Sequence, residues 1–298
     1  MSFYEPDICL YHANCDDGFT AAWAIWQRWP DCEFRPAQYG NQPPPDIAGK
    51  HILIVDFSWP RADLEVLAET AASILVLDHH KTAQAELSHM HQIVRPTYEN
   101  VGRCFSRMSG SPNARVLVEF DMDRSGARMA WNFAHPGDES PLLVDLVEDR
   151  DLWRFQHVMT KPVRMLLQSV PRTFSDWSDI SGYLDADPDG AALTGSAIQG
   201  YYDARVAEMA EAATVQHFAG FDGVPIAHVP YAFVSDVCHQ LLAQHPDAPF
   251  AAACVVAHGG TTYSLRSSDE REDVSKIAKA RGGGGHRNAA GFREAPNG

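Results

Sequence analysis

The sequence predicts an α/β protein, with an N-terminal lobe in which a parallel β-sheet is flanked by helices and a smaller C-terminal α/β lobe. Three observations carry this expectation. Strand and helix signals take turns along the first 155 residues, which implies parallel strands joined by crossover helices. The pattern weakens over residues 171–200, rich in Asp, Gly, Ser and Pro, and then resumes. The chain has 298 residues, 45% of them hydrophobic, enough for packed cores.

The elements follow in order. Residues 8–13 (ICLYHA), 51–58 (HILIVDFS) and 73–80 (SILVLDHH) read as short buried strands, separated by helices at 19–29 (FTAAWAIWQRW) and 60–72 (PRADLEVLAETAA). Ser58 before Pro60 reads as a helix start, the serine capping free amides and the proline fixing φ. Residues 115–122 form a strand, 125–134 a helix, and 140–155 carry apolar residues at helical spacing up to a charged end. After the weak stretch, 201–218 reads as a helix, 223–229 as a strand and 235–246 as a serine-capped helix. Two strands joined by Gly259-Gly260 and a last helix at 272–280 lead into RGGGGHRNAAGF. Trp23, Trp26 and Trp29, three residues apart on one helix, suggest packing rather than base stacking.

Charge and composition exclude some functions. Against 24 Lys and Arg stand 39 Asp and Glu, a net charge of −15 that repels a long polyanion, so duplex DNA is not expected as a partner. From residue 260 onward the balance reverses, with seven basic and five acidic residues, which suits a local anion site. No stretch approaches the roughly 18 continuous apolar residues of a membrane span, and the first residues lack the features of a secretory leader. The six cysteines include no C-x-x-C pair, so reduced thiols and a cytoplasmic location are expected, with no membrane partner.

Ligands of open α/β sheets collect at the carboxyl ends of the strands. Three such ends carry ionisable groups: His12, Asp16 and Asp17 after the first, Asp56 after the second, and Asp78, His79 and His80 after the third. Imidazole mixed with several carboxylates suits a pair of divalent cations. Taken alone, Asp149 and Asp151 in EDRDLW read as a solvated helix end, Ser125-Gly126-Ala127 equally as a helix start or a substrate contact, and the four glycines as a helix-terminating loop. His89, His91, His217, His239 and His245 have no ligand spacing.

Taken together, YHANCDDGFTAA (11–22), VDFS (55–58), DHH (78–80), EDRDLW (148–153), YSLRSS (263–268) and GGGGHRNAAGF (282–292) resemble the successive motifs of the DHH phosphoesterase superfamily, over almost the whole chain. Members that degrade very short RNAs, of the oligoribonuclease or nanoRNase type, look most similar. The resemblance implies a DHH catalytic domain at 1–195, a connector helix at 196–218 and a DHH-associated substrate-binding domain at 219–298, with the active site in the cleft between lobes. It implies two Mn²⁺ ions, with Mg²⁺ or Co²⁺ as substitutes, roughly 3.5–4 Å apart and activating a water. His12 and Asp17 would hold one ion, His79 and Asp151 the other, and Asp56 would bridge them. His80 would face the scissile phosphate, and Asp78 would orient an imidazole.

Many relatives carry Asp-x-Asp in the first motif; here Gly18 and Phe19 follow Asp17, and Asp16 or Asn14 is the candidate replacement. Arg266, Ser267, Gly283, Gly284, Gly285, His286 and Asn288 would contact substrate. The implied activity is that of a Mn-dependent phosphodiesterase acting as an exonuclease on short single-stranded oligonucleotides. A small nucleotide (a cyclic dinucleotide or nucleoside 3',5'-bisphosphate), polyphosphate, or a non-catalytic nucleotide sensor are the alternatives, and a homodimer stays open.

Overall fold

The computed structural model describes residues 4–294 except 109, 111, 112 and 258, without the side chains of Ala257 and His286. The chain divides into two compact units, Met1–Ile198 and Gln199–Gly298. The α/β class and the parallel first sheet are as the sequence predicts. No helix among the described residues is long and apolar enough to cross a membrane.

The first unit runs β1 (Ile8–His12), α1 (Asp16–Trp26), β2 (Glu33–Ala37), β3 (His51–Val55), α2 (Arg61–Thr70), β4 (Ser73–Asp78), α3 (Lys81–Glu86), β5 (His91–Gln92), α4 (Val101–Met108), β6 (Val116–Phe120), α5 (Gly126–Ala134), α6 (Leu142–Asp151), α7 (Thr160–Ser169) and α8 (Phe174–Ala186). Its strands pair in the order β2-β1-β3-β4-β6-β5, every pair parallel. The central strands are apolar at successive positions because both faces are covered. Cys9, Leu53, Val55, Leu75 and Leu77 pack on one side with Trp23 of α1 and Phe133 of α5. Ile8, Leu10, Ile52, Ile54, Ile74 and Val76 pack on the other with Leu64 and Leu67 of α2. All carboxyl ends therefore meet at one edge, where the loops carry the ionisable residues.

Several elements differ from the sequence reading. Helix α1 begins at Asp16, three residues earlier than expected, which places Asp16 and Asp17 in its first turn. Ser58 is buried and does not cap α2; Pro60 is the capping residue, with no side-chain bond. Strand β2 is not expected from the sequence: Glu33, Arg35 and Pro36 break the apolar run, as an edge strand allows.

The weak stretch 171–200 is helical. In α8, Trp177, Ile180 and Leu184 recur at helical spacing on a buried face, and Thr173 caps its first turn by accepting from the Asp176 N–H. Asp-Pro-Asp-Gly within the stretch starts α9 (Pro188–Glu211), with the Asp187 carboxylate accepting from the Gly190 N–H at 2.9 Å. The connector is therefore a helix beginning at Pro188 and ending at Glu211, not one spanning 196–218.

The second unit continues with β7 (Thr214–Phe218), β8 (Phe221–His228), a 3₁₀ turn at Tyr231–Phe233, α10 (Val234–Gln244), β9 (Ala251–Ala257), β10 (Gly260–Arg266), α11 (Val274–Lys279), β11 (Gly284–His286) and β12 (Ala289–Glu294). Its sheet has the order β11-β12-β10-β9-β8-β7, antiparallel except for β8 beside β9. Residues 214–218, expected as helix, pair with β8 because Ala219 and Gly220 both adopt positive φ, 57° and 93°, and close a two-residue hairpin. Helix α10 is capped at Phe233 without a side-chain bond, and Ser235 instead accepts from Arg266 Nη2 at 2.9 Å.

Leu53 is fully buried in the same cluster as Trp23. Replacing it with alanine is expected to destabilise the first unit by about 2–5 kcal/mol, read as a lower midpoint in urea unfolding followed by tryptophan fluorescence.

Candidate metal centre

Each site residue sits where a strand ends or a helix begins. His12 ends β1, and Asp17 lies in the first turn of α1. Asp56 follows β3 with φ 55°, a left-handed conformation uncommon outside glycine. Asp78 ends β4, with His79 and His80 directly after it, and Asp151 is the last residue of α6. The structure brings all of them together except Asp16. His79 Nε2 lies 3.0 Å from Asp56 Oδ1, 3.5 Å from Asp151 Oδ2 and 3.7 Å from Asp17 Oδ2. His12 Nδ1 lies 3.4 Å from Asp56 Oδ2.

Two donor groups result, His12 with Asp56 and His80, and Asp17 with Asp56 and His79. Asp56 belongs to both, the position expected of a bridging ligand. The division differs from the expectation: Asp17 groups with His79, Asp151 belongs to neither group though its Oδ2 lies 3.5 Å from His79 Nε2, and His80 stands beside His12.

Two carboxylates hold the others in place. Asp17 accepts from the amides of Gly126 (2.6 Å) and Ala127 (2.9 Å), the first residues of α5, so its charge lies at a helix N-terminus. Asp78 Oδ1 accepts from the backbone N–H of His79 at 2.8 Å and lies 2.6 Å from His80 Nδ1, which places Nε2 of that ring on the side away from Asp78. The backbones also come close. A Cβ on Gly126 would meet the Asp56 Cβ at 2.4 Å, and one on Gly18 would meet the His12 carbonyl oxygen at 2.4 Å. In an Asp-x-Asp motif read from Asp17 the second carboxylate would stand at position 19, which the buried ring of Phe19 occupies.

The electrostatics is one of crowded negative charge. Burial and the neighbouring Asp56 and Asp151 push the Asp17 carboxyl well above its ordinary range. Burial and Asp56 likewise raise Asp151. Burial works against the Asp56 charge, yet His12 and His79 outweigh it and hold that carboxyl at about 2. Burial also disfavours the His79 cation, but Asp56, Asp17 and Asp151 push it up to about 9. His80 is raised by its bond to Asp78. His12 Nδ1 and Asp56 Oδ2 are buried with no hydrogen-bond partner. Unused buried donor atoms amid mutually repelling carboxylates suit a divalent cation.

The remaining expectations find these places. Asp16 is turned to Arg172 Nη2 at 2.7 Å and does not replace the missing carboxylate. Asn14 lines a cavity beside the centre. Asp149 organises the chain after α6, accepting from the amides of Gln156 and His157 and from the Thr160 hydroxyl. Ser125 caps α5 by accepting from the Arg128 N–H.

In the second unit, Arg266 ends β10, and Ser267 donates its hydroxyl to the Glu272 carbonyl at 2.6 Å. Asn288 Nδ2 donates to Asp269 at 2.8 Å, while its Oδ1 is buried without a partner. Gly283 precedes the edge strand β11, which takes in Gly284 and Gly285 and pairs with β12. The side chain of His286 lies outside the described residues. Sequence reasoning misses Tyr39, whose ring stands 5.5 Å from that of His12 and 6.1 Å from that of His80. Its one signal is an aromatic just past a strand that the apolar pattern does not reveal.

No family model matches the chain. An uncharacterized protein of Acanthamoeba polyphaga mimivirus is 27% identical over 311 residues, covering 97% of this chain and 67% of the relative. The solved structure of a pGpG-specific phosphodiesterase from Vibrio cholerae matches with a TM-score of 0.53 at 11% identity, over 97% of this chain and 93% of that one. The DHH domain of a member of a ribosomal-protein family matches with a TM-score of 0.53 at 14% identity, over 97% and 82%. The chain thus has the fold of DHH-domain proteins.

The raised His79 value gives a sign. Its folded-state value, about 9, exceeds the ordinary 6.5, so its pairing stabilises the metal-free protein fully below about pH 6.5 and is lost as pH rises through 9. In chelator, the unfolding free energy of wild type minus that of His79→Gln should shrink from about pH 6 to about pH 10, measured by urea denaturation; a difference independent of pH contradicts the assignment.

Proposed function

We propose that this chain is a metal-dependent phosphoesterase that hydrolyses phosphodiester bonds in short oligonucleotides or small nucleotides in the cytoplasm, with Mn²⁺ as its ion. The observation that carries the reading is Asp56, shared by two donor groups at the carboxyl edge of a parallel sheet. His12, Asp17, Asp56, His79 and Asp151 are the residues that would hold the ions. Cations bound there would lower the pKa of a water and offset charge on phosphoryl oxygens.

The chain's own groups supply the rest. His80, whose pKa is raised by its bond to Asp78, is positioned to donate from Nε2 to a phosphoryl or leaving oxygen. Asp78 fixes the tautomer of that ring. Asp17, tied to two amides of α5, is preorganised and does not have to rotate into place. Arg266, Ser267, Gly283, Gly284, Gly285, His286 and Asn288 are proposed as the substrate contacts of the second unit. A net charge of −15 favours a short ligand over a long strand. The fold shared with a pGpG-specific phosphodiesterase makes a linear dinucleotide the first substrate to try.

A second reading, a nucleotide sensor without turnover, is favoured by Phe19, which stands in place of the second carboxylate, and by Asp16, which is turned to Arg172. End-labelled RNAs of two to seven nucleotides, incubated with Mn²⁺ and with chelator, separate the two. We expect cleavage that requires Mn²⁺; binding without cleavage of any of them leaves the sensor.

Asp56→Ala removes a ligand of both groups. It is expected to lower kcat/KM at least about 100-fold, in the same assay, with the far-ultraviolet circular dichroism retained.

A further inference from the structure

Beside the centre, a cavity of about 260 Å³ opens between the start of α1 and helices α6 and α7. Asp17 and Asp151, two carboxylates of the centre, also line it, so a molecule held at the centre reaches directly into the cavity. The volume falls below the 300–1,000 Å³ usual for pockets that enclose a drug-sized molecule, which suits one ring system and excludes a whole dinucleotide. Leu146 and Val147 of α6 and Val163 and Leu167 of α7 give it apolar walls.

Polar groups gather among them. Arg164 and Gln168 stand one turn apart on α7, and the Gln168 amide, once turned so that its oxygen faces the guanidinium, accepts from Arg164 Nε and Nη2 at 3.2 and 3.1 Å. This bond leaves the Gln168 NH₂ group and the Arg164 Nη1 edge as planar donors. Arg172 is tied to Asp16, while neither Arg150 nor Arg164 has a carboxylate within ion-pair distance among the described residues. Arg150, Arg164 and Arg172 stand beside Asp16, Asp17 and Asp151, so the lining has no excess of basic over acidic side chains that would single out a second phosphate.

We infer that this cavity receives one nucleobase of the substrate, held between the aliphatic walls and read along its edge by Arg164 and Gln168. Guanidinium and amide groups form paired hydrogen bonds with the edges of purines, and guanidinium planes stack on unpaired bases. The inference rests on the proposed hydrolysis of nucleotides and deepens it. The residue bearing this base sits on the side of the scissile phosphate nearer α6 and α7, and both the base and the phosphate must be present for full binding energy.

The first experiment needs no turnover. The full chain in chelator is titrated calorimetrically with guanosine, adenosine and ribose 5-phosphate. At least one nucleoside is expected to bind measurably and ribose 5-phosphate not to. Arg164→Ala and Gln168→Ala, both at the cavity rim and checked by thermal unfolding, should each weaken that nucleoside about tenfold. Ribose 5-phosphate binding as tightly as the nucleosides, or nucleoside binding unaltered in both variants, overturns the inference.

The second compares a dinucleotide with its analogue lacking one base. Removing the base should cost wild type about tenfold or more in kcat/KM and Arg164→Ala less than about threefold. Nucleoside binding that depends on Arg164, in a protein that cleaves no phosphodiester, supports the cavity assignment and sinks the proposed function. Cleavage indifferent to the base and to both substitutions keeps the function and overturns the inference.

Discussion

The repulsion among buried carboxylates organises the first unit. Asp17, Asp56 and Asp151 converge on a single imidazole, and the histidine cation alone does not balance them. Raised carboxyl values at Asp17 and Asp151 express the same imbalance. Such a cluster persists only where the surroundings over-determine it. Here the parallel sheet delivers three strand ends to one edge, the α5 amides neutralise part of the Asp17 charge, and apolar clusters on both faces hold the strands in place.

That edge is legible in the sequence because its signals are local. An apolar run stopping at Asp56 or at Asp78-His79-His80 needs only the strand period and the rule that parallel strands share a carboxyl end. Asp151 is not legible in this way: on residues alone it reads as a helix terminus, and its nearness to the cluster appears only when α6 is folded toward His79 at 3.5 Å. The pairing that the resemblance implies, His12 with Asp17, is not the one the geometry brings nearest: Asp17 is bonded to the amides of α5 and lies near His79, whereas His12 faces His80.

The stretch 171–200 shows where composition misleads. Its Asp, Gly, Ser and Pro residues are turn formers by frequency, yet several of them serve as helix starts, as the Asp187 bond to the Gly190 amide shows. The apolar residues Trp177, Ile180 and Leu184 are few but fall on one face, and Trp177 also donates to Thr20 of α1 at 2.9 Å. The error at 214–218 is of the opposite kind. A helix-like run ends because Ala219-Gly220 can close a hairpin, and pairing with β8 outweighs the preceding periodicity.

The close approach at Gly126 has a further consequence. The first turn of α5 touches both Asp17 and Asp56, with no space for a methyl group between helix and strand. Descendants of this chain can therefore shift that helix only by shifting Asp17 and Asp56 with it.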